Sequence, residues 1–240
     1  MTLPSPLGRG ILLTMVKRMK LDEIPTLEQI YASYPNTQAL LFDMDGTLFD
    51  SEGQHAVALH HTFKALGQGE ILRLSAEEIR QQYIGKPDPH VFDDLVKNKW
   101  LGGSVSLDQF LDLKKSFLYK TVNALGPKDL LVAPMELLLK QIRKAVDAGA
   151  LKVGLVSASE RHTILSYLKQ AKLVDFFQVT ISRDDCTRSK PDPMPYVQAM
   201  QKLGVRPNET LIFEDSPTGL KSARATGAHM IQAGWFTTHS

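Results

Sequence analysis

Ala39-Leu40-Leu41-Phe42-Asp43-Met44-Asp45-Gly46-Thr47-Leu48-Phe49-Asp50-Ser51 is the stretch from which the rest of the chain can be read. Its first four residues follow Pro35-Asn36-Thr37 and are apolar without alternation, as in a strand buried on both faces. That strand ends on a carboxylate, Asp43, with a second, Asp45, just beyond. Asp-Gly alone marks only a turn. A calcium loop is excluded, because its glycine would fall at Leu48 and its closing glutamate at Gln54.

Outward from this strand the chain changes character twice. Between Gln54 and Leu131 the patterns are helical (His55 to Leu66, Ser75 to Tyr83, Asp88 to Lys97, Leu107 to Val122), punctuated by Gly67, Gly69, Gly85, Gly102 and Gly103. From Met135 onward helices alternate with strands at Lys152 to Val156, Phe177 to Ile181, Thr210 to Phe213 and His229 to Ile231. Such alternation predicts an α/β fold, a doubly wound, Rossmann-like parallel sheet. The helical block interrupts it directly after its first strand and reads as an inserted cap. The expected division is residues 1–37 as an N-terminal extension, 38–53 with 132–240 as the α/β core, and 54–131 as the helical cap domain. Within the extension, Thr26 to Ser33 is helix-like, the remainder reads as floppy, and Met15 and Met19 offer shorter starts.

Composition narrows the function. A chain of 240 residues, 43% of them apolar, can bury a full core. A formal net charge of +2 spread along the chain implies neither a nucleic-acid stripe nor a polyanionic tail, so a small soluble partner is expected. Cys186 is the single cysteine, which rules out an internal disulfide or a zinc cage and points to a reducing compartment. The apolar run Ile11 to Val16 is too short to span a bilayer. A cytoplasmic location is therefore expected. The basic start, with Asp22 as its first acidic residue, has a second reading as an organelle transit peptide.

Ligands of doubly wound sheets bind beyond the carboxyl ends of the strands. Three further segments lie at or between such ends. Phe213-Glu214-Asp215-Ser216-Pro217-Thr218-Gly219 supplies a second acidic pair, and also reads as an ordinary helix start. Val156-Ser157-Ala158-Ser159 ends a strand on a hydroxyl before a helix whose first amides favour anions. Ser157 is the expected donor to such an anion, while either serine can simply cap that helix. Ser189-Lys190-Pro191-Asp192-Pro193 sets a lysine before a stiff turn.

Asp43, Asp45, Gly46, Thr47, Leu48 and Asp50 together resemble the signature of the haloacid dehalogenase superfamily. The four segments occur in its order and cover about residues 38–234; Ala158 and Ser159 resemble its β-phosphoglucomutase-like group. The resemblance implies a Mg²⁺-dependent hydrolase in which Asp43 is the catalytic nucleophile, because a carboxylate can attack phosphorus and divide one displacement into two easier ones. Asp45 would be the acid that protonates the leaving alkoxide and then takes a proton from water. The metal ligands implied are the Asp43 carboxylate, the Asp45 main-chain carbonyl, Glu214 and Asp215. Phosphate would be bound by Ser157, Ala158 and the neutralising Lys190.

Substrate choice falls to the cap. His55 stands where β-phosphoglucomutase-like proteins often carry a histidine, and Lys115 with Tyr119 matches a basic cap position. The loop Gly85-Lys86-Pro87-Asp88 falls where the mutases grip a second phosphate with arginine. Here the aligned residue is Asp88, with Lys86 nearby. The expected activity is hydrolysis of small phosphomonoesters, such as sugar or polyol phosphates, with a sugar-phosphate mutase as the alternative. The expected partner is a small phosphorylated metabolite, with no nucleic acid or membrane, and the expected state is a monomer.

Overall fold

The computed structural model describes residues 19–83 and 86–236. Met15, Ile11 to Val16 and Gly85 lie outside them. The elements run, in chain order, β1 (Met19–Leu21), α1 (Leu27–Ser33), β2 (Ala39–Phe42), α2 (Glu52–Leu66), α3 (Ala76–Tyr83), α4 (Asp88–Lys97), α5 (Leu107–Asn123), α6 (Ala133–Asp147), β3 (Lys152–Val156), α7 (Arg161–Gln170), β4 (Val179–Ile181), α8 (Met194–Leu203), β5 (Thr210–Glu214), α9 (Pro217–Ala225) and β6 (His229–Ala233). The chain divides into two compact units. One comprises Met1–Phe49, Leu131–Leu165 and Leu173–Ser240, and the other Asp50–Leu130 with Ser166–Lys172.

The first unit is built on one six-stranded parallel sheet in the order β1-β6-β5-β2-β3-β4. Every residue of β2 and β5 is buried, the burial on both faces that their uninterrupted apolar runs imply. Successive side chains point to opposite faces. Ala39, Leu41 and Ile212 pack with Tyr196, Ala199, Met200 and Leu203 of α8 and with Leu220 and Ala223 of α9. On the alternate register, the rings of Phe42 and Phe213 stack 4.7 Å apart. Phe42 is opposite both Leu155 and Phe213, so Asp43, Val156 and Glu214 emerge at one level along one edge of the sheet.

The segment before residue 38 departs from the floppy extension expected. Met19–Leu21 pairs in parallel with Ile231 to Ala233 and adds a sixth strand. Thr26 then caps α1 through a reciprocal pair of bonds with Gln29 (2.7 and 3.3 Å). Ile30 is buried, and Leu27 N–H donates to Gln141 Oε1 of α6 at 2.8 Å.

The second unit is helical, with a core of Leu59, Phe63, Ile71, Ile79, Tyr83, Val91, Leu95 and Phe110. Its boundaries are Asp50 and Leu130, where the sequence suggested 54 and 131, and it takes in Ser166–Lys172. Asn123 Oδ1 accepts from Ser166 Oγ and Gln170 Nε2, both at 3.1 Å. No helix among the described residues is long and apolar enough to cross a membrane.

Candidate active site

At the sheet edge the chain leaves β2 through a tight turn. Gly46 has a φ of 76°, in the left-handed region that glycine enters without strain. A Cβ there would also overlap the carboxylate of Asp215. Thr47 is fully buried; its hydroxyl donates to Asp215 Oδ1 at 3.1 Å, and its carbonyl accepts from Trp235 Nε1 at 2.9 Å. Asp43, Glu214 and Asp215 each offer a carboxylate oxygen, and these oxygens lie within 4.8 Å of one another.

Lys190 stands among them. Its ammonium donates to Asp43 Oδ1, to Glu214 Oε2 at 2.7 Å and to the Val156 carbonyl at 3.0 Å, which uses all three of its protons. Glu214 has no exposed surface. Its Oε2 accepts from Lys190 and, at 2.6 Å, from Tyr196 Oη; its Oε1 accepts from Ser216 N–H (3.1 Å) and Oγ (2.9 Å). Gly219, in the first turn of α9, leaves room for that carboxylate, because a Cβ there would overlap it.

The electrostatics follow from crowding. Burial and the neighbouring charges of Glu214 and Asp215 hold the Asp43 carboxyl well above its usual range, although Lys190 pulls the other way. Burial, then the Glu214 charge, push Asp215 up to about 7. Burial would lower Lys190, but Asp43 and Glu214 outweigh it and keep the ammonium charged. Burial would raise Glu214, yet Lys190 and the surrounding donors hold it low. Burial and the Glu214 charge push the Tyr196 phenol far up, so it stays a donor. Three carboxylates thus face one ammonium in a buried oxygen-rich cluster, an arrangement that suits a divalent cation.

Asp45 is not one of those three carboxylates, although its charge acts on Asp43 and Asp215. Its Oδ2 accepts from Ser159 Oγ at 3.1 Å, while Ser159 N–H donates to Ser157 Oγ at 3.0 Å. A hydroxyl that accepts in this way keeps its own proton to donate. Ser157 is buried and Ala158 exposed at the end of β3. One expectation needs correction: the first amides of α7 are not all open to an anion, since Asp184 Oδ2 accepts from Arg161 N–H at 2.9 Å.

In the helical unit the structure gives the cap residues neighbours that the sequence did not indicate. The buried lysine is Lys114, 5% exposed, and not Lys115. Lys114 donates to Asp88 Oδ1 and lies 3.2 Å from His55 Nδ1. Lys115 lies 4.0 Å from Asp112 and is partly exposed, and Tyr119 is 52% exposed. Lys86 pairs with Asp94 at 3.6 Å and sits over the Tyr83 ring. Asp88 is ion-paired with Lys114, a partner that the sequence did not indicate. Periodicity could have picked out Lys114: Phe110, Lys114 and Leu118 lie four residues apart on the buried stripe of α5, and Lys115 is turned about 100° away. Tyr196 was also missed, because at the spacing of Ala199, Met200 and Leu203 it reads only as core.

Comparison with known proteins agrees with this geometry. Residues 40–233 match the family described as haloacid dehalogenase-like hydrolase. A phosphoglycolate phosphatase of Nitrosospira multiformis is 30% identical over 200 residues, covering 81% of this chain and 82% of that one. The fold is shared with CbbY from Rhodobacter sphaeroides, solved in complex with phosphate (TM-score 0.65, 21% identity, covering 85% of this chain and 89% of that one). It is shared also with β-phosphoglucomutase from Clostridium difficile (TM-score 0.61, 18% identity, 82% and 84%). With the family description spanning both the acidic turn after β2 and the pair ending β5, the chain belongs to the haloacid dehalogenase-like hydrolases.

Proposed function

We propose that this phosphatase hydrolyses small phosphomonoesters, with sugar or polyol phosphates as the substrate class, in a Mg²⁺-dependent reaction through an aspartyl phosphate on Asp43. The observation that carries the reading is the separation of roles between neighbours. Asp43 lies in the acidic cluster under Lys190, whereas Asp45 is bonded to Ser159 outside it. That separation supports a reading in which one carboxylate attacks and the other moves protons.

The cation would be held by the Asp43 and Asp215 carboxylates and the Asp45 carbonyl, with the Glu214 carboxylate beside it. When bound, Mg²⁺ offsets the charge of the two anions that must meet. An Asp43 oxygen attacks phosphorus as the bond to the ester oxygen breaks, and Asp45 delivers a proton to the departing alkoxide. Asp45 then takes a proton from water, which attacks the aspartyl phosphate and releases inorganic phosphate with Asp43 regenerated. Ser157 would donate to a phosphoryl oxygen, and the Lys190 ammonium beside Asp43 would offset the phosphoryl charge. A cytoplasmic enzyme acting on a soluble metabolite fits the even charge and the single cysteine.

A second reading has one observation behind it. Asp88 is ion-paired with Lys114, so repulsion of a bisphosphate by Asp88 is no longer an argument against a mutase. One experiment tests both: a screen of phosphorylated metabolites, with Mg²⁺ and with chelator, scoring phosphate release and isomerised product. Phosphate release dependent on Mg²⁺ supports the phosphatase. Isomerisation that requires a bisphosphate activator, with negligible release, would replace it.

A further inference from the structure

Tyr196 has no exposed surface and touches both charged partners of the nucleophile's neighbourhood. Its hydroxyl donates to Glu214 Oε2 at 2.6 Å, and the Lys190 ammonium lies over its ring, 4.9 Å from the centroid. Glu214 therefore has two donors on each oxygen: Lys190 and Tyr196 on Oε2, Ser216 N–H and Oγ on Oε1. A carboxylate offers about four acceptor positions, so any cation bound directly to Glu214 must displace one of these buried donors. Lys190 is equally committed through its three bonds.

We propose that Tyr196 is a positioning residue of the phosphoryl-transfer site: it locks Glu214 and Lys190 into one unit, so that Glu214 anchors the lysine that faces Asp43 and does not serve as a direct cation ligand. The proposal rests on the phosphatase reading above. Tyr196 touches neither substrate nor cation and acts only through Glu214 and Lys190. Without the hydroxyl, one lone pair of a fully buried carboxylate loses its donor. Lys190, the remaining donor on that oxygen, is then drawn toward Glu214 and away from Asp43. The loss falls where charge develops as the phosphoryl group is transferred.

The test is Tyr196→Phe, which keeps the ring beneath Lys190 and removes only the hydroxyl. We expect kcat for a Mg²⁺-supported aryl phosphate to fall about ten-fold, and the inhibition constant for orthovanadate to rise about as much. KM and the Mg²⁺ dissociation constant, the latter measured by calorimetry without oxyanion, should stay within about two-fold. A purely structural tyrosine would lower the melting temperature and leave kcat and vanadate inhibition at wild-type values, and that result would overturn the proposal. A ten-fold change in Mg²⁺ affinity would overturn it as well, since Glu214 would then be acting on the cation. If the unmodified protein neither released phosphate nor bound vanadate, the phosphatase reading would fail first and this inference with it.

Discussion

The carboxylate of Glu214 occupies the space where a side chain on Gly219 would have to be. Glycine in the first turn of α9 is thus required by a buried charge five residues earlier on the adjoining strand. We expect Gly219→Ala to force Glu214 off its donors, lowering stability by about 1–3 kcal/mol as an overpacked core does and lowering phosphate release with it. Thermal melts and turnover should fall together. Normal turnover in this variant would mean that the Glu214 position is not needed for the chemistry.

Asp43→Asn should abolish phosphate release while leaving the melting temperature close to wild type, because the amide is a poor nucleophile of nearly equal size. Asp45→Asn should cost far more on alkyl than on aryl phosphates, whose leaving groups need little protonation. Equal losses on both would assign Asp45 to organising the cation instead.

The metal-free protein should lose stability as pH rises between about 4 and 8. Asp215 has a folded pKa of about 7 against an ordinary carboxylate value near 4, so over that window the folded chain binds more protons than the unfolded one. The slope is negative. Asp43, raised by burial and Glu214, acts in the same direction, whereas His60, lowered by burial and Lys64, opposes it. Millimolar Mg²⁺ should narrow the gap between melts at pH 5.5 and pH 8, and Asp215→Asn should flatten it. A metal-free melting curve that rises steadily toward pH 8 would contradict the crowding of these carboxylates.

Asp215→Ala should raise the Mg²⁺ concentration needed for half-maximal activity by about ten-fold or more, since changes even behind a metal's direct ligands cost 10- to 100-fold. An unchanged Mg²⁺ titration would remove Asp215 from the ligand set.

Lys114→Ala should destabilise the helical unit by about 1–3 kcal/mol, because it strands Asp88 without its charged donor. Lys115→Ala should stay within about 0.5 kcal/mol, as exposed substitutions do. Asp88→Arg now sets two cations against each other and should behave like Lys114→Ala in thermal melts. Equal behaviour of Lys114→Ala and Lys115→Ala would refute the buried assignment.

The strands that carry the site were legible because each combines an uninterrupted apolar run with a polar residue at its end: Phe42 before Asp43, Val156 before Ser157, Phe213 before Glu214. The first strand was not, since Met19-Lys20-Leu21 has neither length nor pattern and exists through its pairing with Ile231 to Ala233. Lys114 and Lys115 differ only by rotation about α5, and the lysine chosen was the one facing away from the buried stripe. Asp184 reaches Arg161 N–H across 23 residues, a contact that no local pattern announces. The hydroxyl of Tyr196 is invisible for a related reason: helical spacing reports that a ring is buried, and nothing about the carboxylate its oxygen meets.

The short strand at Met19–Leu21 also determines which strand forms the border of the sheet. While it is in place, β6 is an interior strand, with β5 on one side and β1 on the other. Removal through Leu21 would turn β6 into an open border whose main-chain amides and carbonyls, flanked by the buried Met230 and Ile231, are free to recruit a strand from another molecule. Loss of the strand Met19–Leu21 is therefore expected to appear first as loss of solubility, with the catalytic residues untouched.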